Sequence, residues 1–404
     1  MRCLFGFMCV LALGVMGCSE TAGDGGNGGD GGQGGVGGGV AACVDNVCPC
    51  TEAGIRSAIQ AGGADPYTFD CGGPETVVTT EGIVIDNDVI LDGESNLTVD
   101  GSESYIVFSV GVVTAELRGL TVTGGGWDSG GKRGNGGEPI PASIGNSGTL
   151  TITNSTVSAE NEIATIVNGA TLTITNSTVS WTDGGGINSG NEGSTLTITN
   201  STLSGGQGDG IDEAILIYGT LTVTNSTVVG NIYGEGTVTN SLVDGECAGA
   251  MASNGYNIES PGDTCGFDQT GDLVNIAEVQ LDLGELANNG GPTMTHALGA
   301  DSVAIDHIPA VDCGVTTDQR GQPRPETGGG MCDVGAFEVQ PPPAESCTQS
   351  GGTVSTGLCC QAVESFPNTC TTGACGCAPD ASHEVDVCIC LANTCFDGES
   401  CVAQ

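Results

Sequence analysis

Apolar and polar positions alternate strictly in four stretches of the chain. They read Thr149-Leu-Thr-Ile-Thr153, Thr171-Leu-Thr-Ile-Thr175, Thr195-Leu-Thr-Ile-Thr199 and Thr220-Leu-Thr-Val-Thr224. Asn-Ser-Thr follows each stretch, and then an apolar residue: Val157, Val179, Leu203 or Val228. A shortened copy runs Gly236-Thr-Val-Thr-Asn-Ser-Leu-Val243. A period of two predicts strands with one buried face. The β-branched threonines suit the pleated outer face. Because Val157 lies three residues past Asn154, the chain must turn near Asn154-Ser155 before it buries a side chain again. The region has no 3.6-residue period, which excludes a helical repeat.

The phrase asparagines Asn154, Asn176, Asn200, Asn225 and Asn240 are 22, 24, 25 and 15 residues apart. A period in the low twenties predicts a solenoid in which each repeat is one rung of a parallel β-helix. Stacked rungs put Leu150, Leu172, Leu196 and Leu221 in one interior column, and Ile152, Ile174, Ile198 and Val223 in a second. Val157, Val179, Leu203, Val228 and Val243 make a third. The asparagines are expected to form an amide ladder at one corner, although they also spell glycosylation sequons. The short step to Asn240 predicts that the stack narrows or ends there. Val89-Ile-Leu-Asp-Gly93, Leu97-Thr-Val-Asp-Gly101 and Glu116–Gly124 read as earlier rungs. The coil is therefore placed at 75–270, with about eight to ten rungs.

The flanks differ in character. Residues 1–17 hold Arg2 and an apolar run too short to span a membrane, ending at Val15-Met-Gly-Cys18. This resembles the signal peptide and lipobox of bacterial lipoproteins, which implies cleavage before Cys18 and lipid modification of that residue. Ser19 carries no retention-type aspartate, which points to an outer-membrane address at the surface of a Gram-negative cell. Residues 18–42 form a glycine-rich tether. Residues 43–74 form an N-terminal cap, with a helix predicted over Thr51–Gln60 behind an N-cap threonine. Residues 271–340 form a C-terminal cap, and 341–404 a proline linker and cysteine-rich module.

Of 21 cysteines, Cys3 and Cys9 would leave with the signal and Cys18 would take the lipid. The even clusters that remain read as disulfides of an exported chain, with Cys247 paired to Cys265 and Cys313 to Cys332. Cys375-Gly-Cys377 and Cys388-Ile-Cys390 lack the usual zinc-knuckle spacing, which favours disulfides there as well.

The stretch Leu281–Leu298, with Asp301–Asp306, Thr317-Asp-Gln-Arg-Gly-Gln-Pro-Arg-Pro325 and Cys332-Asp-Val-Gly-Ala-Phe-Glu338, resembles the C-terminal signature of bacterial choice-of-anchor Q surface proteins. The resemblance implies a right-handed parallel β-helix of the pectin-lyase-like class, with no assigned activity. Arg320 and Arg324 read as structural partners of Asp306, Asp318, Asp333 or Glu338. His296 reads as a hydrogen-bonded structural residue.

Charge and loop chemistry bound the function. With 49 acidic and 7 basic residues the formal charge is -42, which opposes binding to nucleic acid or polyuronate. The loops after the phrases carry Trp127, Asp128, Glu160, Glu162, Trp181, Asp183, Asp209, Asp212 and Glu213. Both tryptophans lie in glycine-rich loops with little core to fill, so this edge is a candidate site for Ca²⁺ or a neutral carbohydrate. No cofactor is required by any motif. The expected function is non-enzymatic surface interaction or adhesion, with the outer membrane as partner through the lipid and a carbohydrate or cell-surface partner beyond it. The alternative is a carbohydrate-active lyase or hydrolase of the pectin-lyase-like class. Such lyases need a basic residue beside Ca²⁺ carboxylates, and Lys132-Arg133 is the one basic pair near these loops.

Overall fold

The computed structural model describes residues 43–126, 141–160, 163–205, 213–326, 330–360, 363, 365–371, 375, 382–398 and 400–403. The phrases build the coil they predict. Leu150, Leu172, Leu196 and Leu221 pair in register, as do Ile152, Ile174, Ile198 and Val223, and all are buried. The third column runs from Val77 through Val99, Val122, Val157, Val179, Leu203 and Val228 to Val243. Every one of these pairings is parallel, and the chain is a right-handed parallel β-helix, the hand that parallel crossovers take.

A second parallel sheet closes the other side of each rung. Among the described residues it has eight strands, from Ile83–Ile85 to Cys247–Ala248. Its inward column is Ile83, Phe108, Ile144, Ile166, Ile187, Ile215 and Ile232, each at most 1% exposed. Its strands lack the alternation that marks the phrases: Gly184–Ser189 opens on three glycines, and in Ile163–Asn168 and Glu213–Ile217 the outward Val167 and Leu216 are as apolar as the inward Ile166 and Ile215.

The 15-residue step does not narrow the stack. Between Asn225 and Asn240 the rung keeps all three strands, Thr227–Val229, Asn231–Tyr233 and Gly236–Thr239. The loops are what shorten. Gly234 turns there at φ 136°, and a Cβ on it would lie 2.2 Å from the Ile217 carbonyl oxygen.

The corner ladder is made of serine rather than asparagine. Each phrase asparagine is in the left-handed region, at φ 48–52°. That turn aims the next serine inward. Ser155 N–H donates to Ser177 Oγ, Ser177 N–H to Ser201 Oγ, Ser201 N–H to Ser226 Oγ and Ser226 N–H to Ser241 Oγ, at 3.1–3.2 Å. Each of these hydroxyls donates to the carbonyl of the threonine two residues earlier, as Ser201 does to Thr199 at 2.7 Å. Only one amide rung, Asn200 Nδ2 to Asn176 Oδ1 at 2.8 Å, links phrase asparagines among the described residues. Asn225 and Asn240 turn their amides outward to the carbonyls of Cys313 and Asp312. A separate amide ladder, Asn146 to Asn168 to Ser189, stands at the end of the second sheet.

Helix Glu52–Ala61 buries Ile55, Ala58 and Ile59. Thr51 Oγ1 accepts from Gly54 N–H at 3.2 Å, and Arg56 pairs with Glu52. Cys43–Cys48 and Cys50–Cys71 bond around it. Beyond the coil, Cys347–Cys388, Cys359–Cys375, Cys370–Cys395 and Cys390–Cys401 hold a small module around Phe396.

Candidate functional site

Most of the predicted loop edge lies outside the described residues. Cys18, Trp127, Asp128, Glu162, Asp209, Asp212, Lys132 and Arg133 lie outside the described residues. Glu160 and Asp183 are exposed on successive rungs, and no hydrogen bond joins them. Glu213 begins the strand paired between Gly185 and Asn231. Its Oε1 is buried without a partner among the described residues, and burial raises its carboxyl above the usual range. No trio of carboxylates converges among the described residues. The one three-residue cluster, Cys388, Cys390 and Cys401, consists of disulfide sulfurs.

Trp181 corrects the expectation most sharply. It is 4% exposed and belongs to the core of the coil. In register it stands between Ala159 and Gly205. Cβ atoms on Gly205 or Gly186 would lie 2.8 and 2.7 Å from its ring. Small neighbours make the space, and the indole fills it. It is therefore no stacking platform for a sugar.

The polar groups of the C-terminal segment converge instead on the coil's flank. This segment runs back over the Asn-Ser-Thr corners as a clasp. Thr202 Oγ1 donates to Gln319 Oε1 at 2.6 Å, and Gln319 Nε2 donates to Thr178 Oγ1 at 2.9 Å and Thr293 Oγ1 at 2.8 Å. Ala336 N–H donates to Thr227 Oγ1 at 3.0 Å. His296 is held between Gly284 and the coil. Its Nδ1 lies 2.7 Å from the Gly284 carbonyl, so Nδ1 carries the proton, and Nε2 accepts from Ser204 Oγ at 2.9 Å. Burial lowers the pKa of this imidazole and keeps it neutral.

Two arginines lock the clasp. Arg324 is buried, pairs with Glu338 at 2.9 Å and donates to the carbonyls of Gly335 and Phe337. Arg320 pairs with Asp318 at 2.7 Å and lies 3.6 Å above the Phe337 ring. Asp333 accepts from the N–H groups of Asp306 and Val339. Burial and the nearby Glu338 carboxylate push its pKa up to about 7. Cys313–Cys332 bonds within the clasp, and Cys247–Cys265 bonds at the end of the coil. There Glu259 takes the interior position after Val243 and accepts from the N–H groups of Thr264 and Cys265. Sequence reasoning missed the clasp's lateral course because its bonds to the phrase rungs join residues 72 to 141 positions apart.

The hollows are shallow by comparison. One of about 570 Å³ opens at the N-terminal end beside Val44, Val47 and Asp70. A second, of about 320 Å³, lies between Asn176 and Asn200 and the segment 314–317. No described helix is long and apolar enough to cross a membrane. Compared with known proteins, the chain matches no family model, no curated protein and no solved structure.

Proposed function

We propose that this chain is a lipid-anchored surface protein whose β-helix presents interaction faces and performs no chemistry. The observation that carries this reading is the use made of the signature residues. Gln319, Arg320, Arg324, Asp318, Asp333, Glu338 and His296 all spend their polar groups holding the clasp to the coil or to itself. Those side chains would be the best equipped for catalysis, and none is left facing an open cleft. The likeness of this segment to choice-of-anchor Q surface proteins and the Val15–Cys18 lipobox support an outer-membrane lipoprotein with a carbohydrate or cell-surface partner. Several acyl chains, at about 0.8 kcal/mol per buried methylene, would make that anchoring effectively permanent. Radiolabelled palmitate tests the anchor: the natural chain takes up label, and Cys18→Ser does not.

The rival reading, a carbohydrate-active enzyme, rests on Glu213. A partly buried carboxyl with a raised pKa is what a general acid requires. Depolymerisation assays on neutral and anionic polysaccharides, with and without Ca²⁺, decide between the two. Product release that vanishes in Glu213→Gln would establish the enzyme; no release from any substrate supports display.

A further inference from the structure

The outward face of the phrase sheet is a lattice of one residue type. Fourteen threonines stand in three ranks, led by Thr149, Thr151 and Thr153 and repeated through Thr171–Thr175, Thr195–Thr199 and Thr220–Thr224 to Thr237 and Thr239. The pairing has no shift across these rungs, so each threonine stands directly over its counterpart. All fourteen are at least partly exposed. Among the described residues, only the Thr239 hydroxyl has a partner inside the chain, Asn254 Nδ2 at 3.1 Å.

We infer that this face binds the surface of ice. Its spacings are about 4.8 Å between rungs and about 6.7 Å along the strand. Water bonded tetrahedrally at about 2.75 Å between oxygens has second neighbours about 4.5 Å apart and repeats about every 7.3 Å along its hexagonal axis. The two lattices agree within about a tenth in both directions. Threonine is stiff at χ1, so the ranks hold methyls and hydroxyls in place before any contact is made.

Three further observations select this occupant. The array is bounded on one side by Glu116 and Arg118, in register with Thr151 and Thr153 and paired with each other at 2.8 Å, and on the other by Ala252 beside Thr237, so four successive rungs between them present an uncharged lattice. The residues that continue these ranks on either side, Thr114, Glu116, Arg118 and Ala252, include no aromatic ring, the usual platform for stacking a sugar. The array covers about 450 Å² by its spacings, well short of the ~800 Å² per partner of a stable protein interface. A second copy of the chain is therefore a poor occupant, whereas an extended crystal surface meets every rank at once. Asn200 stands where the groove meets the margin of the array, beside Thr175 and Thr199. It is 3% exposed, and its Oδ1 has no partner among the described residues, leaving an acceptor for ordered water.

The test is partition of the full chain into slowly growing ice, with recrystallisation followed in parallel. The natural chain is expected to be enriched in the ice and to arrest recrystallisation. Thr173→Lys with Thr197→Lys is expected to fall to the level of an inert protein while its circular dichroism is unchanged. Thr173→Ser with Thr197→Ser, which keeps the hydroxyls and removes the methyls, should be intermediate. Exclusion of the natural chain from ice, or equal partition of the lysine variant, overturns the inference. So does binding to microcrystalline cellulose or chitin without enrichment in ice, which would assign the face to a polysaccharide. None of these outcomes depends on lipid anchoring, which palmitate labelling reads separately.

Discussion

Thr202 on the coil and Gln319 on the clasp share a 2.6 Å hydrogen bond, although 117 positions separate them in the chain. The same glutamine reaches Thr178 on the rung below, so one amide ties two rungs to one clasp. Replacing Gln319 with Ala strands buried hydroxyls on both rungs. A loss of about 1–3 kcal/mol is expected, read as a lower urea midpoint with an unchanged slope. Combined with Thr202→Val, the two losses should add to less than their sum, because the valine no longer needs the lost acceptor. Full additivity would contradict the coupling.

The serine ladder makes a separate prediction. Ser201→Ala removes the acceptor for the buried Ser177 N–H and should cost about 1–3 kcal/mol. Thr197→Ala, one rank out on the solvent face of the same rung, should stay within about 0.5 kcal/mol. Equal midpoints for the two variants would remove the ladder as a source of stability.

Gly205→Ala probes the seat of Trp181. Its new Cβ would lie 2.8 Å from the indole, and overpacking of this kind costs about 1–3 kcal/mol. A red shift of tryptophan emission should accompany the loss as the ring is forced toward water. An unchanged spectrum and midpoint would place Trp181 elsewhere.

Much of this architecture was legible, for reasons tied to particular residues. Leu150, Ile152 and Val157 declared their columns because a strand with one buried face must alternate, and stacking repeats the alternation at fixed register. Gly184–Ser189 was silent because it opens on three glycines, and its neighbours because outward Val167 and Leu216 stand beside inward Ile166 and Ile215 and erase the contrast. At the corner, Asn154 and Ser155 are adjacent polar residues, and only the left-handed turn decides which of them points inward. Trp181 was misread from its glycine-rich surroundings. The signal that corrects it was present in the repeat, where Ala159 and Gly205 occupy the same register position one rung to either side. The loop acids were legible as residues, but most of them lie outside the described residues, and residues on separate rungs converge only if their loops fold together.

Stability should depend on pH through Asp333. Its folded pKa of about 7 lies above the ordinary carboxylate value, so the folded state holds its proton longer than the unfolded state. Its stabilising contribution is therefore full below about pH 4 and is lost as pH rises to about 7, by at most about 4 kcal/mol across that window. His296 has the opposite sign: its lowered folded pKa means that stability is lost as pH falls below about 6.5. Melting the natural chain and Asp333→Asn between pH 4 and 8 separates the two. The variant should lose part of the downward slope toward pH 7 and keep the decline at acid pH. Parallel profiles would show that Asp333 is ionised in the fold across the whole range.

Protease treatment of intact cells producing the full chain, followed by detection of the coil, tests display most directly. Cleavage of the natural protein without lysis is predicted, together with release of the Cys18→Ser protein from the membrane fraction. Complete protection of the natural protein on intact cells, with digestion only after lysis, would contradict a surface-displayed scaffold.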